Sequence, residues 1–384
     1  MKRLAIVALA LLMLLTVIVT PAAANTQDTD FEDVTVYDWF FSAVRFVSTN
    51  GIMNGTSSTT FAPHANFSRA MVVTTLFRIY HDRAANQTDS RETPFNDVQD
   101  GDWFAPYVSW AAEHGIVTGH GDHFAPNDNV DRQQFATMLF RFADTMTDMD
   151  TSVRQGAAWA GFADRNQIQS WATDALMWAN YHGFITGRTT TTIVPTGNAS
   201  RAEAATILMR FLGSSMTQEE AMRAGIEYSE IVRLFPGADV RAMFEQELMR
   251  LINEIRSSYG LAPLIRHSAL STIARGRADE MIRHNSMSHV SPTTGLAHTA
   301  HANNQGLNVF YAGENAGWGH GTPQDMVTAW MESPVHRDGI LVGAEGNRLT
   351  VEWATMPYAG VGFASGDTHE WGTAWTFWIM TAPR

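Results

Sequence analysis

The chain has no cysteine. That excludes disulfides, a thiol nucleophile and cysteine-bound metal. In an exported protein it leans toward a bacterial surface rather than a disulfide-stapled secreted module. Lysine is nearly as scarce, Lys2 being the single one. Every later fixed positive side chain is therefore a guanidinium, which excludes Schiff-base and lysine-base chemistry. Positive charge as a whole is short: Lys plus Arg number 26 against 39 Asp plus Glu, a formal net charge of -13. Such a surface argues against nucleic acid and against acidic polymers gripped by bulk charge, so an anionic ligand would be read by individually placed arginines.

Apolar runs long enough to span a bilayer are absent after the first residues. Residues 1–24 have the build of a secretory leader: Lys2-Arg3, an apolar stretch from Leu4 to Val19, then Pro21-Ala22-Ala23-Ala24 as a small-residue cleavage site. Cleavage near Ala24 would leave no membrane segment, so the protein would be held at the cell by something else or be lost from it. The length of 384 residues favours two or more domains, and the ordinary apolar fraction excludes wholesale disorder.

What is present is a stretch that occurs three times, Phe31 to Arg78, Phe95 to Arg141 and Phe162 to Arg210. Each copy opens Phe-x-Asp (Asp33, Asp97, Asp164) and continues to a Trp (Trp39, Trp103, Trp171). A Gly-apolar-x-x-Gly turn follows, at Gly51–Gly55, Gly115–Gly119 and Gly183–Gly187. Then come Phe61-Ala62-Pro63, Phe124-Ala125-Pro126 and the looser Ile193-Val194-Pro195, and a helix start carrying Arg69, Arg132 or Arg201. A period this long means three copies of one supersecondary unit. Two helices are expected in each. The first begins near the Trp and stops at the first Gly. The second is capped by Ser68, Asp131 or Ser200, with capping boxes at Asp131/Gln134 and Ser200/Glu203.

The three arginines sit in the first turn, the wrong end of a helix for a cation. Two readings stand. Helix amides plus a guanidinium make an anion site suited to a carboxylate. Alternatively each Arg pairs with Asp33, Asp97 or Asp164 and holds the repeat together.

With Phe-x-Asp, Trp, Gly-apolar-x-x-Gly, a Pro and an Arg-bearing helix start recurring in order, residues 31–211 resemble S-layer homology (SLH) domains, whose pattern includes Phe-x-Asp-Val, Trp, Gly-Ile-x-x-Gly, Phe-x-Pro and a Thr-Arg-Ala-Glu-like helix start. The resemblance implies an α-rich three-repeat pseudo-trimer that binds secondary cell wall polymer, often pyruvylated. It also implies that Arg69, Arg132 and Arg201 meet the ligand's carboxylate, with Trp39, Trp103 and Trp171 near the grooves or in the core. The third repeat keeps Ser-Arg-Ala-Glu, whereas Met71 and Gln134 replace the Glu in the others. Wall binding is thus expected to depend more on Arg201 than on Arg132. Repeats are expected at 31–80, 95–143 and 162–212, a linker at 213–240 and a further domain at 241–384.

In that domain Phe244, Leu248, Leu251, Ile252 and Ile255 form one helical stripe, and Ser268 caps a second helix. A loop rich in Gly, Asn and His runs to Gly319, a third helix covers Gln324 to Met331, and strands are expected at 360–364 and 374–380. Eight histidines fall here: His267, His284, His289, His298, His301, His320, His336 and His369. His289 lies in Ser288-His289-Val290-Ser291-Pro292 and His336 in Trp330-Met331-Glu332-Ser333-Pro334-Val335-His336. Between them stands Gly313-Glu314-Asn315. Such groups can converge on a divalent metal or form an acid–base pair.

These segments, with Leu251–Arg256 and Gly260-Leu261-Ala262-Pro263-Leu264, resemble the CAP superfamily (cysteine-rich secretory proteins, antigen 5, pathogenesis-related 1) over residues 242–382. The resemblance implies an α+β fold, an α-β-α sandwich whose cleft holds two His and two Glu. His289, Glu314 and His336 match; at the fourth place stands Ser333, with Glu332 one residue early. The tetrad's chemistry admits Zn2+, and no other cofactor is implied. No nucleophile elbow, His-Glu-x-x-His or phosphate loop is present. The chain thus reads as a multidomain surface protein on wall polymer, displaying a CAP domain that binds an extracellular ligand. A metal-assisted hydrolase at His289, Glu314 and His336 is one alternative, and adhesion or scaffolding alone is another.

Overall fold

The computed structural model describes residues 31–35, 38–81, 93–344, 356–366 and 372–382. The leader expected at 1–24 lies outside the described residues. One compact unit ends at Glu220 and a second begins at Ala221. Among the described residues no helix is long and apolar enough to cross a membrane.

In the first unit each repeat supplies two helices: α1 (Phe41–Thr49) and α2 (Arg69–His81), α3 (Ala105–Glu113) and α4 (Arg132–Met146), α5 (Thr173–Tyr181) and α6 (Arg201–Gly213). Recurring turn chemistry makes the pair form three times. The first helix ends where Gly51, Gly115 and Gly183 take φ of 59, 69 and 71 degrees, open to a residue without Cβ. The second glycine of the turn is small for another reason. A Cβ on Gly55, Gly119 or Gly187 would lie 2.4, 2.4 or 2.6 Å from the ring of Phe31, Phe95 or Phe162, the Phe that opens the repeat. The Asp of Phe-x-Asp then closes the loop. Asp33 accepts from the amides of Phe61 and Ala62, Asp97 from Phe124 and Ala125, Asp164 from Ile193 and Val194, all at 2.7–2.9 Å. These bonds hold Ala62, Ala125 and Val194 at φ of 57, 56 and 53 degrees, a left-handed setting uncommon for residues with a Cβ. Both capping boxes form. Leu76, Leu139 and Leu208 are fully buried on the inner faces of the second helices.

The repeats are also joined to one another. Val130 N donates to Phe67 O (2.8 Å), Ala199 N to Val130 O (2.9 Å) and Phe67 N to Ala199 O (2.9 Å). One residue from each repeat thus enters a closed ring of hydrogen bonds.

The stretch expected as a linker, 213–240, carries two short helices, α7 (Gln218–Arg223) and α8 (Tyr228–Leu234). From Ala221 onward it belongs to the second unit. Tyr228 packs its ring 5.5 Å from Phe244 and 4.7 Å from Phe363, and Ile226 and Ile231 are buried. Hydrophobic burial, not tethering, fixes this segment.

The second unit continues with α9 (Val240–Ser258), β1 (Ile265–Arg266), α10 (Ser268–His284), α11 (His298–Asn304) and β2 (Ala312–Trp318). After these come α12 (Pro323–Glu332), α13 (Pro334–Ile340), β3 (Tyr358–Ser365) and β4 (Thr373–Met380). The sheet order is β1-β3-β4-β2, with β1 parallel to β3 and the other pairs antiparallel. Strands β3 and β4 agree with the apolar runs read from sequence. Strand β2 corrects that reading: Ala-Gly-Glu-Asn-Ala-Gly-Trp has the composition of a loop, yet pairs along its whole length with β4. Its extended state comes from the partner strand rather than its own propensity.

Helices cover both faces of this sheet. On one, α10 lies so close that a Cβ on Gly360 or Gly362 would stand 2.4 or 2.2 Å from the backbone of Leu270 or Ala274. Ala312, Trp378 and Met380 share a core with Leu270, Ile273 and Ala274 on that side. On the other, Phe244 of α9 stacks 5.9 Å from Trp375, and Gly317 makes room for Met326 and Trp330 of α12. Alternation along the strand assigns Glu314 to the α10 face and Asn315 to the α12–α13 face.

Candidate functional site

All three repeated arginines are buried. Each reaches the loop of another repeat. Arg69 Nε donates to Phe124 O (2.7 Å), Arg132 Nε to Ile193 O (2.9 Å) and Arg201 Nε to Phe61 O (2.7 Å). The first repeat grips the second, the second the third, and the third the first. The helix-start amides follow the same circuit: Ala70 N donates to Pro126 O, Gln133 N to Pro195 O and Ala202 N to Pro63 O, each at 2.9–3.0 Å. Asp33, Asp97 and Asp164 commit their oxygens to loop amides, so Arg and Asp hold the same loop instead of forming the intra-repeat pair that the sequence left open.

The three junctions are unequal. Arg132 Nη1 reaches Glu203 (3.2 Å), which Arg188 also binds (2.8 Å). Arg201 instead meets Met71 Sδ at 4.0 Å, while its Nη2 donates to Asn54 O (2.7 Å) as Arg132 Nη2 does to Thr186 O (2.5 Å). Burial pushes all three guanidinium pKa values down. Opposing carboxylate charge comes from Asp128, Asp97 and Asp131 at Arg69, from Glu203 at Arg132 and from Asp33 at Arg201. The repeated tryptophans are not in the core: Trp39, Trp103 and Trp171 are 67%, 58% and 51% exposed.

In the second unit Glu314 stands in register with Trp378 across β2 and β4. Trp378 Nε1 donates to Glu314 Oε1 (2.9 Å), and His289 Nδ1 bonds Oε2 (2.8 Å). The Glu314 side chain is fully buried while that of His289 is half exposed. Buried Arg277 lies 3.6 Å from Glu314 Oε1 and also donates to Glu280 and to Ser288 O, both at 2.5 Å. It thereby anchors the loop that leads into His289. The Glu314 hydrogen bond raises the His289 pKa, whereas burial and then the charge of His289 lower those of His298 and His336.

The predicted residues are only partly brought together. His289 and Glu314 meet. His336 is close enough to feel the charge of His289, but its ring is outside the donor cluster, and its backbone oxygen accepts from Asn315 Nδ2 (2.8 Å). Glu332, in the last turn of α12, is outside the cluster too. His298 takes the third place: ligand atoms of His289, His298 and Glu314 lie within 4.8 Å of one another. Nothing in its flanking sequence marks His298; only the turn at 291–296 brings it back to His289. Two imidazoles with a carboxylate are a donor set suited to a borderline divalent ion such as Zn2+, and a His–Glu pair is suited to proton transfer.

Three repeats of this build, followed by a helix–sheet–helix domain with a His/Glu centre, define a modular protein of two compact units. Family comparisons agree. S-layer homology domains match residues 30–70, 94–136 and 161–205, and the cysteine-rich secretory protein family matches residues 249–380. The chain carries three S-layer homology domains followed by a CAP domain, the architecture of a cell-surface protein. Among curated relatives, an amylopullulanase of Thermoanaerobacterium thermosulfurigenes is 28% identical over 50% of this chain and 10% of its own length. An S-layer protein of Bacillus thuringiensis subsp. finitimus is 24% identical over 58% of this chain and 27% of its own. The protein YkwD of Bacillus subtilis (strain 168) is 37% identical over 26% of this chain and 38% of its own. The chain therefore spans well under half the length of each of these relatives.

Proposed function

We propose that the repeats hold the protein non-covalently on secondary cell wall polymer, with pyruvylated sugars as the preferred units. The CAP domain is then displayed with its His289–Glu314 centre open to an extracellular ligand. The observation that carries the anchoring reading is the exposure of Trp39, Trp103 and Trp171 at equivalent positions, in a unit that buries Trp110, Trp159 and Trp178. Indole faces offered in register suit stacking on sugar rings of a repeating polymer. The closed hydrogen-bond ring supports a three-pronged pseudo-trimer. Three junction arginines then supply guanidiniums for acidic substituents. Of these, Arg201 is the best placed to take an anion, since its opposing charge is Asp33 and its neighbour is Met71, whereas Arg132 is already answered by Glu203.

Retention on purified sacculi tests this. The triple variant Trp39→Ala, Trp103→Ala, Trp171→Ala is expected to fold and to lose retention at least about tenfold. Arg201→Lys is expected to weaken retention more than Arg132→Lys, with melting temperatures confirming folded protein. Undiminished retention of the triple variant sinks the stacking role, and an equal or reversed arginine order sinks the ranking.

A further inference from the structure

We infer that His298 joins His289 and Glu314 in a binding site for one Zn2+-type divalent cation, a ligand set particular to this chain's own turn. This rests on reading the His289–Glu314 pair as a ligand centre. The turn is built to deliver His298. Val290 pairs with Ala297 in an antiparallel bridge, so the residues just outside that pair, His289 and His298, stand opposite each other. The turn is closed by Ser291 N to Leu296 O (2.9 Å) and Gly295 N to Ser291 O (2.8 Å). It is tied down by Ser291 Oγ to Glu280 (3.1 Å) and by Arg277 to Ser288 O.

Two further observations point to a ligand. His298 holds φ of 44 degrees, a left-handed setting disfavoured for a residue with a Cβ, at the first residue of α11. Strain of this kind persists where surrounding structure enforces it, and it collects at ligand clamps. The result is two imidazole rings with centroids 5.2 Å apart, facing a carboxylate with no exposed side-chain area. The carboxylate is itself held by Trp378, the kind of outer support that metal-binding carboxylates carry. Three protein ligands with one half-exposed imidazole leave a coordination position for water or substrate, the pattern of an exchangeable rather than a structural zinc. Buried Arg277 opposes a cation here, but Glu280 answers its charge directly.

The test is calorimetric titration of the purified chain with Zn2+, repeated with Co2+ for its ligand-field absorption. The unchanged chain is expected to bind one equivalent. His298→Gly removes the imidazole while accepting the left-handed backbone, and is expected to lose affinity about 100-fold or more. His298→Asn, also tolerant of that conformation, is expected to behave likewise, and His336→Ala to bind as the unchanged chain does. Melting without zinc verifies that each variant is folded. Full zinc affinity in His298→Gly with loss in His289→Ala overturns the inference and leaves His289 and Glu314 as a cation centre. No zinc binding by the unchanged chain overturns both.

Discussion

The two units assemble their special residues in opposite ways. In the repeats each key side chain recurs with its context: Asp33, Asp97 and Asp164 recur with their loops, and Arg69, Arg132 and Arg201 with their helix starts. Each arginine closes on the neighbouring copy. A residue that looks like a local ligand group is then also a strut between copies. In the CAP unit nothing recurs. Glu314 comes from a strand, His289 and His298 from the two ends of one turn, Arg277 from α10 and Trp378 from β4. Structural and chemical roles overlap in the first unit, whereas in the second only buried Glu314 combines them and the histidines stand apart from the packing. Perturbing a junction arginine should therefore damage the fold, whereas perturbing a CAP histidine should spare it.

The largest expected effect follows from that overlap. Arg201→Ala leaves the carbonyls of Phe61 and Asn54 without their guanidinium donor and should lower stability by about 2–4 kcal/mol in urea unfolding. Trp171→Ala, exposed, should change it by less than about 0.5 kcal/mol. Near-neutral Arg201→Ala would dissolve the contrast drawn between the units. Next comes Glu314→Gln, which removes the charge bonded to His289 and facing Arg277. A loss of about 1.5–3 kcal/mol is expected, the scale of hydrogen bonds to charged groups. Smaller still is His298→Gly without metal. Release of left-handed strain and the extra freedom of an unfolded glycine nearly offset, so stability should be unchanged or higher by up to about 1 kcal/mol. A clear destabilisation would make His298 a packing residue instead.

The sequence displays the first unit well because repetition filters out accident. A single Gly, Asp or Arg says little, but three in register point to one turn, one loop closure and one junction. What repetition does not reveal is the partner. An anion site and a pairing with Asp33, Asp97 or Asp164 are equally open to the arginines in sequence, and the cyclic contact needs three-dimensional closure to be seen. The resemblance leaves the repeated tryptophans either near the grooves or in the core, and their exposure decides it: Trp39 and Trp103 precede α1 and α3 and point outward. In the CAP unit the limits were different. Strand β2 has no strand composition and exists through β4. His298 has no marked context, and the 213–240 segment shows its packing only against Phe244 and Phe363. Glu314 and His289 were legible from their motifs, whereas His336, equally marked, stands outside the donor cluster. Long-range register, not local chemistry, decided which histidine entered.

The subtlest expected effect is a pH dependence inside the repeat unit, where the contrast with the CAP centre is one of solvation. The His182 ring stacks on Phe184 (5.3 Å, 12° between planes) with Trp178 at 5.5 Å, and its Nε2 is buried with no hydrogen-bond partner. Burial lowers its pKa, an effect that Asp150 opposes and Arg154 reinforces. A histidine with a depressed folded-state pKa contributes its full stability above the unfolded value of about 6.5. That contribution falls away as pH drops below that value toward the folded one, because the unfolded chain takes up the proton first. Melting scans at pH 7 and pH 5 should show a smaller acid-induced drop for His182→Phe than for the unchanged chain. Equal drops would mean that the ring reaches water once protonated. In that case burial in the repeats would be no more restrictive than at His289, where a carboxylate partner raises the pKa instead.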